Sequence, residues 1–175
     1  GVSSVFASSA AGAASSAVGT DNKVYGNNSY VIGGGNTIGS ATITETTEAN
    51  GDKIKKVTAG TVKGNTAGAF GYKNTIKADN AYTVGSNSTV SADGAMVLGN
   101  NASVTAKNGM ALGSNTKVAN ENAIALGAGS ETAAAVATPS ATINGTAHNC
   151  SGVNPPSTVS VGKEGSELKI TNAAA

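Results

Sequence analysis

Apolar residues recur along this chain with a step of fourteen. Phe70, Val84, Leu98, Leu112 and Leu126 each directly precede a glycine: Gly71, Gly85, Gly99, Gly113 and Gly127. Val18-Gly19 and Ile32-Gly33 keep the same step earlier in the chain. Five residues after most of these glycines stands a β-branched residue: Val24, Ile38, Ile76, Val90, Val104 or Val118. Three residues before them stand Tyr30, Tyr82, Met96, Met110 and Ile124, and four before stand the small Ser29, Ala81, Ala95 and Ala123. A period this strict describes a stack of like units.

One unit shows how the stack folds. In Asn80–Asp93 the run Ala81-Tyr82-Thr83-Val84 alternates, which places Tyr82 and Val84 on one face of a short strand. Gly85-Ser86-Asn87 is turn chemistry, Ser88-Thr89-Val90-Ser91 is a second strand, and Ala92-Asp93-Gly94 turns into the next unit. Asn80, Gly94, Asn108 and Asn122 recur in that second turn, where left-handed conformations are needed. Two strands and two turns make one coil of a parallel β-solenoid, with coils about 4.8 Å apart. The expected core contains Val84, Leu98, Leu112 and Leu126 as one buried column. The residues two before each glycine (Val31, Ala69, Thr83, Val97, Ala111, Ala125) are assigned to the outside.

The period breaks once, by 24 extra residues between Gly33 and Gly71. Ile38 and Val62 both fit the β-branched position, so the insertion lies between them. Ala41–Thr46 alternates, Asn50-Gly51 is a strong turn signal, and Lys53–Thr58 follows, which predicts a β-hairpin over 41–61. Glu45 and Glu48 on one arm face Lys53, Lys55 and Lys56 on the other in this reading. Those five residues are the candidate ligand contact, because protrusions on rigid scaffolds often carry function.

Composition narrows the classes. Only 3% of the 175 residues are aromatic, none is Trp and 24 are Gly, so a thin rod suits the chain better than a deep core. A net charge of +1 with 12% charged residues gives no field that would draw nucleic acid or an anionic membrane. No stretch of 18 apolar residues could span a bilayer, and no segment reads as a signal peptide, so the expectation is an excised piece of a longer protein. The lone Cys150 has no disulfide partner, and His148 beside it lacks the further ligands that a metal or nucleophilic site needs. Gly33-Gly34-Gly35 has no following Lys-Ser or Lys-Thr and is no phosphate loop. No cofactor is expected.

The last stretch is the most specific. Val159-Ser160-Val161-Gly162, then Gly165, then Ile170-Thr171-Asn172 before small residues follow repeats such as Asn122-Ala123-Ile124-Ala125-Leu126-Gly127. Together they resemble the head and neck of YadA-like trimeric autotransporter adhesins, over about residues 17–38, 62–130 and 157–174. The chain differs in having Leu168-Lys169 where the family usually has Arg-Gln, and in the hairpin. The resemblance implies an all-β, left-handed parallel β-roll in each of three chains. Its neck, with Val159, Val161, Gly162, Gly165, Ile170 and Asn172, would hand a homotrimeric head to a coiled-coil stalk. It divides the chain into an N-terminal partial coil or frayed segment (1–16), the β-roll head (17–130, with the hairpin insertion at about 40–61), a loop insertion (131–156) and the neck (157–175).

Functionally, the resemblance implies a non-enzymatic adhesive head at the bacterial cell surface, anchored in the outer membrane through a C-terminal segment that this chain lacks. Its partners would be copies of itself and host matrix proteins such as collagen, fibronectin or laminin, or a host receptor. The alternative within the same fibre is a passive spacer or self-association module. An acyltransferase built on a left-handed β-helix would have a six-residue period and a catalytic His within a coil, whereas His148 lies outside the repeats. An ice-binding solenoid would need an outward ladder of Thr, which the column two before each glycine does not supply.

Overall fold

The computed structural model describes residues 9–10, 12–61 and 63–172. Every fourteen residues the chain makes one turn of a β-solenoid, with two parallel sheets as its walls. The broad sheet stacks Ser16–Thr20, Tyr30–Gly34, Gly68–Tyr72, Tyr82–Ser86, Met96–Leu98, Met110–Leu112 and Ile124–Leu126, then Val159–Lys163 and, antiparallel to it, Ser166–Glu167. The narrow sheet stacks the two-residue strands Ser9–Ala10, Lys23–Val24, Thr37–Ile38, Thr75–Ile76, Thr89–Val90, Ser103–Val104 and Lys117–Val118. Ser9–Ala10 pairs with Lys23–Val24, so the described part of the N-terminal segment is a partial coil. Val62 and the residues 1–8 lie outside the described part of the chain.

Register follows the repeat. Gly33 pairs with Gly71 across the 24-residue insertion, and Ile38 pairs with Ile76. The turns take the predicted conformations: Asn80, Asn108 and Asn122 have φ of 53°, 54° and 57°. The repeat glycine is needed for two reasons at once. Gly85 has φ 139°, and a Cβ there would collide with the carbonyl of Gly99 in the next coil.

The interior contradicts one expectation. Val84, Leu98, Leu112 and Leu126 do stack in one in-register column, but the column faces outward. Val84 is 46% exposed, Leu98 52% and Leu126 44%, and Leu112 is half-buried. The buried broad-sheet column is the neighbouring one, Val31, Ala69, Thr83, Val97, Ala111 and Ala125. It meets Val24, Ile38, Ile76, Val90, Val104 and Val118 from the narrow sheet. The reason is width. Two walls joined by short turns leave room between them for Ala, Val, Thr and Ile but not for Phe, Tyr or Met. An outward hydroxyl ladder must therefore be sought on the narrow sheet, where Thr37, Thr75, Thr89 and Ser103 stack between Lys23 and Lys117.

Two polar ladders hold neighbouring coils together. Inside, three residues after the repeat glycine, Asn22, Asn36 and Asn74 are fully buried. Asn36 Nδ2 donates to Asn22 Oδ1 (3.0 Å) and to the Gly71 carbonyl (2.8 Å), while Asn36 Oδ1 accepts from the backbone N–H and Nδ2 of Asn74 (2.9 and 3.1 Å). Ser88 continues the ladder with single bonds and Ala102 ends it. At the outer corner, the backbone N–H groups of Ala13, Asn27, Asn65 and Asp79 donate to Oδ1 of Asn27, Asn65, Asp79 and Asp93 respectively, at 2.8 to 2.9 Å. Both ladders satisfy backbone donors that the turns would otherwise strand.

Two hairpins leave the roll. Ala41–Thr47 pairs with Lys53–Ala59, turning through Asn50-Gly51 as predicted. The segment 131–156, read from sequence as a loop, contains a second hairpin, Ser140–Ile143 with Thr146–Asn149. Its two-residue connection Asn144-Gly145 has both φ positive, 50° and 81°, the combination that matches the twist of the paired strands.

Candidate interaction surfaces

The outer face of the broad sheet follows directly from the narrow interior. Strand residues alternate sides, so large apolar residues excluded from the inside occupy the columns one and three before each glycine. Ile32, Phe70, Val84, Leu98, Leu112 and Leu126 form one; Tyr30, Tyr82, Met96, Met110 and Ile124 form the other, with Gly68 standing between Tyr30 and Tyr82. Tyr72 adds a further exposed ring on this face, with the Lys73 ammonium 5.0 Å from its centroid. Exposed apolar side chains in two adjacent columns are uncommon on the surface of a lone soluble chain.

The segment expected to form a neck extends the same face. Val159, Ser160 and Val161 pair in parallel with Ile124, Ala125 and Leu126, making the neck strand the next rung of its own chain's sheet. Gly162 has φ 91° and is packed against the returning Glu167 and Leu168 backbone. Gly165 turns that return at φ 72°. Glu131 ties rung to roll: its carboxylate meets Lys117 Nζ at 2.9 Å and Lys163 Nζ at 3.8 Å. The hydrogen bond from Lys117, aided by the charges of both lysines, holds the Glu131 carboxyl below its ordinary range. Val159, Leu168 and Ile170 remain exposed, as does Asn172.

Comparison with solved structures finds likenesses for this chain. The chain is similar to a solved structure of the C-terminal YadA-like domain of a Burkholderia pseudomallei protein, at 25% identity and a TM-score of 0.35. The alignment covers 78% of this chain and 56% of that one, so this chain spans little more than half of its length. The likeness is to a YadA-like domain. No family model matches the sequence, and no curated protein does.

The candidate contact on the first hairpin is partly assembled. Glu45 meets Lys53 at 2.9 Å and stands opposite Lys55 in register. Both partners of the ion pair are exposed, where such pairs contribute at most about 1 kcal/mol. Glu48 is not on the arm but in the turn, where its N–H donates to the Asp52 carbonyl. Lys56 is exposed opposite Thr44. The acidic and basic residues therefore do not form one patch: an ion pair occupies one side, and Lys56 stands apart from it.

Among the described residues no group of three or more His, Cys, Asp and Glu could hold a metal. His148 lies exposed on the second hairpin opposite Ala141, and Cys150 is a half-buried free thiol. No helix is long and apolar enough to cross a membrane among the described residues.

Reading the sequence missed the asparagine ladder, the outer-corner ladder and the pocket beside the first hairpin. The first two had a signal: Asn22, Asn36 and Asn74 keep a fixed offset from the repeat glycine, as do Asn27, Asn65, Asp79 and Asp93. In a chain this rich in Asn, both were hidden by the turn asparagines around them.

Proposed function

We propose that the chain is the non-enzymatic adhesive head and neck of a bacterial surface adhesin, working as a parallel homotrimer whose chains meet through the outer face of the broad sheet. The observation that carries this reading is the pair of outward apolar columns: one runs from Val18 to Leu126, the other from Tyr30 to Ile124 with a gap at Gly68, and both continue in register onto Val161 and Val159. Burying them against two further copies gives each chain the wide core that its own interior lacks. Burial contributes about 25 cal/mol per Å² of apolar surface. The exposed Leu168 and Ile170 support a neck that binds the chains together below the roll. The repeat and the Val-Ser-Val-Gly neck, which resemble the YadA-like heads in sequence, support a surface adhesin, anchored in the outer membrane by a segment outside this chain.

The ligands in this reading are host matrix proteins, such as collagen, fibronectin or laminin, or a host receptor. The first hairpin would appear three times around the axis, so weak contacts at Lys53, Lys55 and Lys56 would multiply. The test replaces residues 43–57 by Asn-Gly, which closes the ribbon after the Thr42–Thr58 pair and leaves its root intact. Loss of adhesion to the immobilised matrix proteins, in a variant that keeps its fold and mass, assigns binding to the hairpin. Unchanged adhesion moves the site to the roll. Absence of adhesion by the parent protein favours the spacer.

A further inference from the structure

We propose that the pocket at the root of the first hairpin binds a single neutral sugar ring of a glycan. The pocket, of about 220 Å³, opens where the repeat is interrupted. One wall comes from a turn of the regular stack, Tyr25 and Asn27, another from the following coil at Asn65, and the rim from Ser40, Thr61 and Lys63 where the ribbon leaves and returns. Three glycines line it as well. A Cβ on Gly60 would run into Ser40, one on Gly64 into Gly39 and Ile38, and one on Gly26 into the Gly64 carbonyl. Gly60 N–H donates to the Ser40 carbonyl at 2.7 Å and draws the two ends of the ribbon together.

The lining favours a neutral, hydroxylated ring. Tyr25 is half-buried and supplies an aromatic surface for the C–H face of a pyranose. Among the described residues, no partner meets the hydroxyls of Tyr25 and Thr61 or the Nδ2 of Asn27. Hydroxyls and side-chain amides both donate and accept, as vicinal sugar hydroxyls require. The volume lies below the 300–1,000 Å³ of sites for drug-sized ligands, which suits one ring rather than an oligosaccharide.

Charge argues against the alternatives. Among the described lining residues the one ammonium, Lys63, is 3.3 Å from Asp93 and 3.9 Å from Asp79, which already hold it. An anionic ligand would have to compete with both. A metal cation finds no carboxylate in the lining. Asp79 Oδ1 accepts from the backbone N–H groups of Gly64 and Asn65 and from Asn65 Nδ2, while Asp93 Oδ1 accepts from Asp79 N–H.

The proposal stands apart from the adhesin reading and is tested on the full chain by amide NMR. Methyl β-glucoside and methyl N-acetyl-β-glucosaminide are titrated into the isotope-labelled protein, with methyl β-glucuronide as the charged arm. The neutral glycosides should move the amide signals of Gly26, Gly60 and Gly64 and the side-chain amides of Asn27 and Asn65, with a dissociation constant on the order of 1 mM. Tyr25→Ala should weaken binding about tenfold, and the rim-filling Thr61→Trp should do the same from the opposite side. The glucuronide should bind several-fold more weakly. The proposal is overturned by the absence of shifts at these amides at tens of millimolar, by binding unchanged in both variants, or by equal or tighter binding of the glucuronide. The hairpin truncation at 43–57 keeps all the named lining residues, so loss of matrix adhesion in that variant alone leaves the sugar site standing.

Discussion

Two columns on the same strands, one residue apart, have opposite roles. Val31, Ala69, Thr83, Val97, Ala111 and Ala125 point into the roll; Ile32, Phe70, Val84, Leu98, Leu112 and Leu126 point away from it. In a compact domain the larger set would be the core. Here the larger set lies outside, because the coil is too thin to hold it. The difference teaches that a solenoid of this width has two kinds of apolar surface, one that closes the coil and one that the coil itself leaves facing outward.

Substitutions one residue apart separate those roles most sharply. Val97→Asp puts a carboxylate inside the roll with no partner, at a cost of several kcal/mol, and the expected result is loss of the strand signal in circular dichroism. Leu98→Asp puts the same group on the outer face. The roll should persist in that variant, and the mass in solution should fall to that of one chain. If both variants unfold alike, or neither changes the mass, the two columns are not distinct.

The inner ladder gives the next largest effect. Asn36→Ala removes four side-chain hydrogen bonds and leaves the Asn74 backbone N–H and the Gly71 carbonyl short of a partner, while Asn22 Oδ1 keeps the Asn36 N–H and Asn74 Nδ2 keeps the Gly85 carbonyl. Each such group costs about 1–3 kcal/mol, so urea unfolding should show a loss of several kcal/mol. Asn115→Ala, at an exposed turn, should cost much less.

How much of this was legible in the sequence depends on what the period encodes. Coil length, glycine position, left-handed turn residues and the hairpin around Asn50-Gly51 all rest on local backbone chemistry, and each is written in the residues that perform it. Which strand face points inward is not local. It depends on the distance between the walls, and a strand such as Tyr82-Thr83-Val84 alternates equally well either way. The second hairpin was missed because Pro139, Pro155 and Pro156 dominate its surroundings. The four-residue arms Ser140–Ile143 and Thr146–Asn149 carry only one large apolar residue, Ile143. The pocket has no motif, since its walls are brought together by stacking from residues as far apart as Tyr25 and Asn65.

Two smaller effects sharpen the account of the interior and of the neck. Among the described residues, buried Thr83 Oγ1 meets no hydrogen-bond partner, so Thr83→Val should stabilise the roll by about 1 kcal/mol in urea unfolding. Destabilisation would mean the hydroxyl has a partner after all. The Glu131 carboxyl titrates lower in the fold than the ordinary value of 4.5. Its contribution is therefore complete above about pH 5 and is lost as pH falls through the lowered value. The exchange protection factor of the Gly162 amide, on the rung that Glu131 helps to hold, should fall as pH drops below about 5, and that fall should be smaller in Glu131→Gln.

The central claim is that the outer columns are an interface among copies of this chain. Light scattering on the folded protein at micromolar concentration tests it most directly. The account predicts three times the chain mass of 16.8 kDa. A well-folded sample that scatters as a single chain, with Phe70, Leu98 and Leu126 left in water, would contradict it.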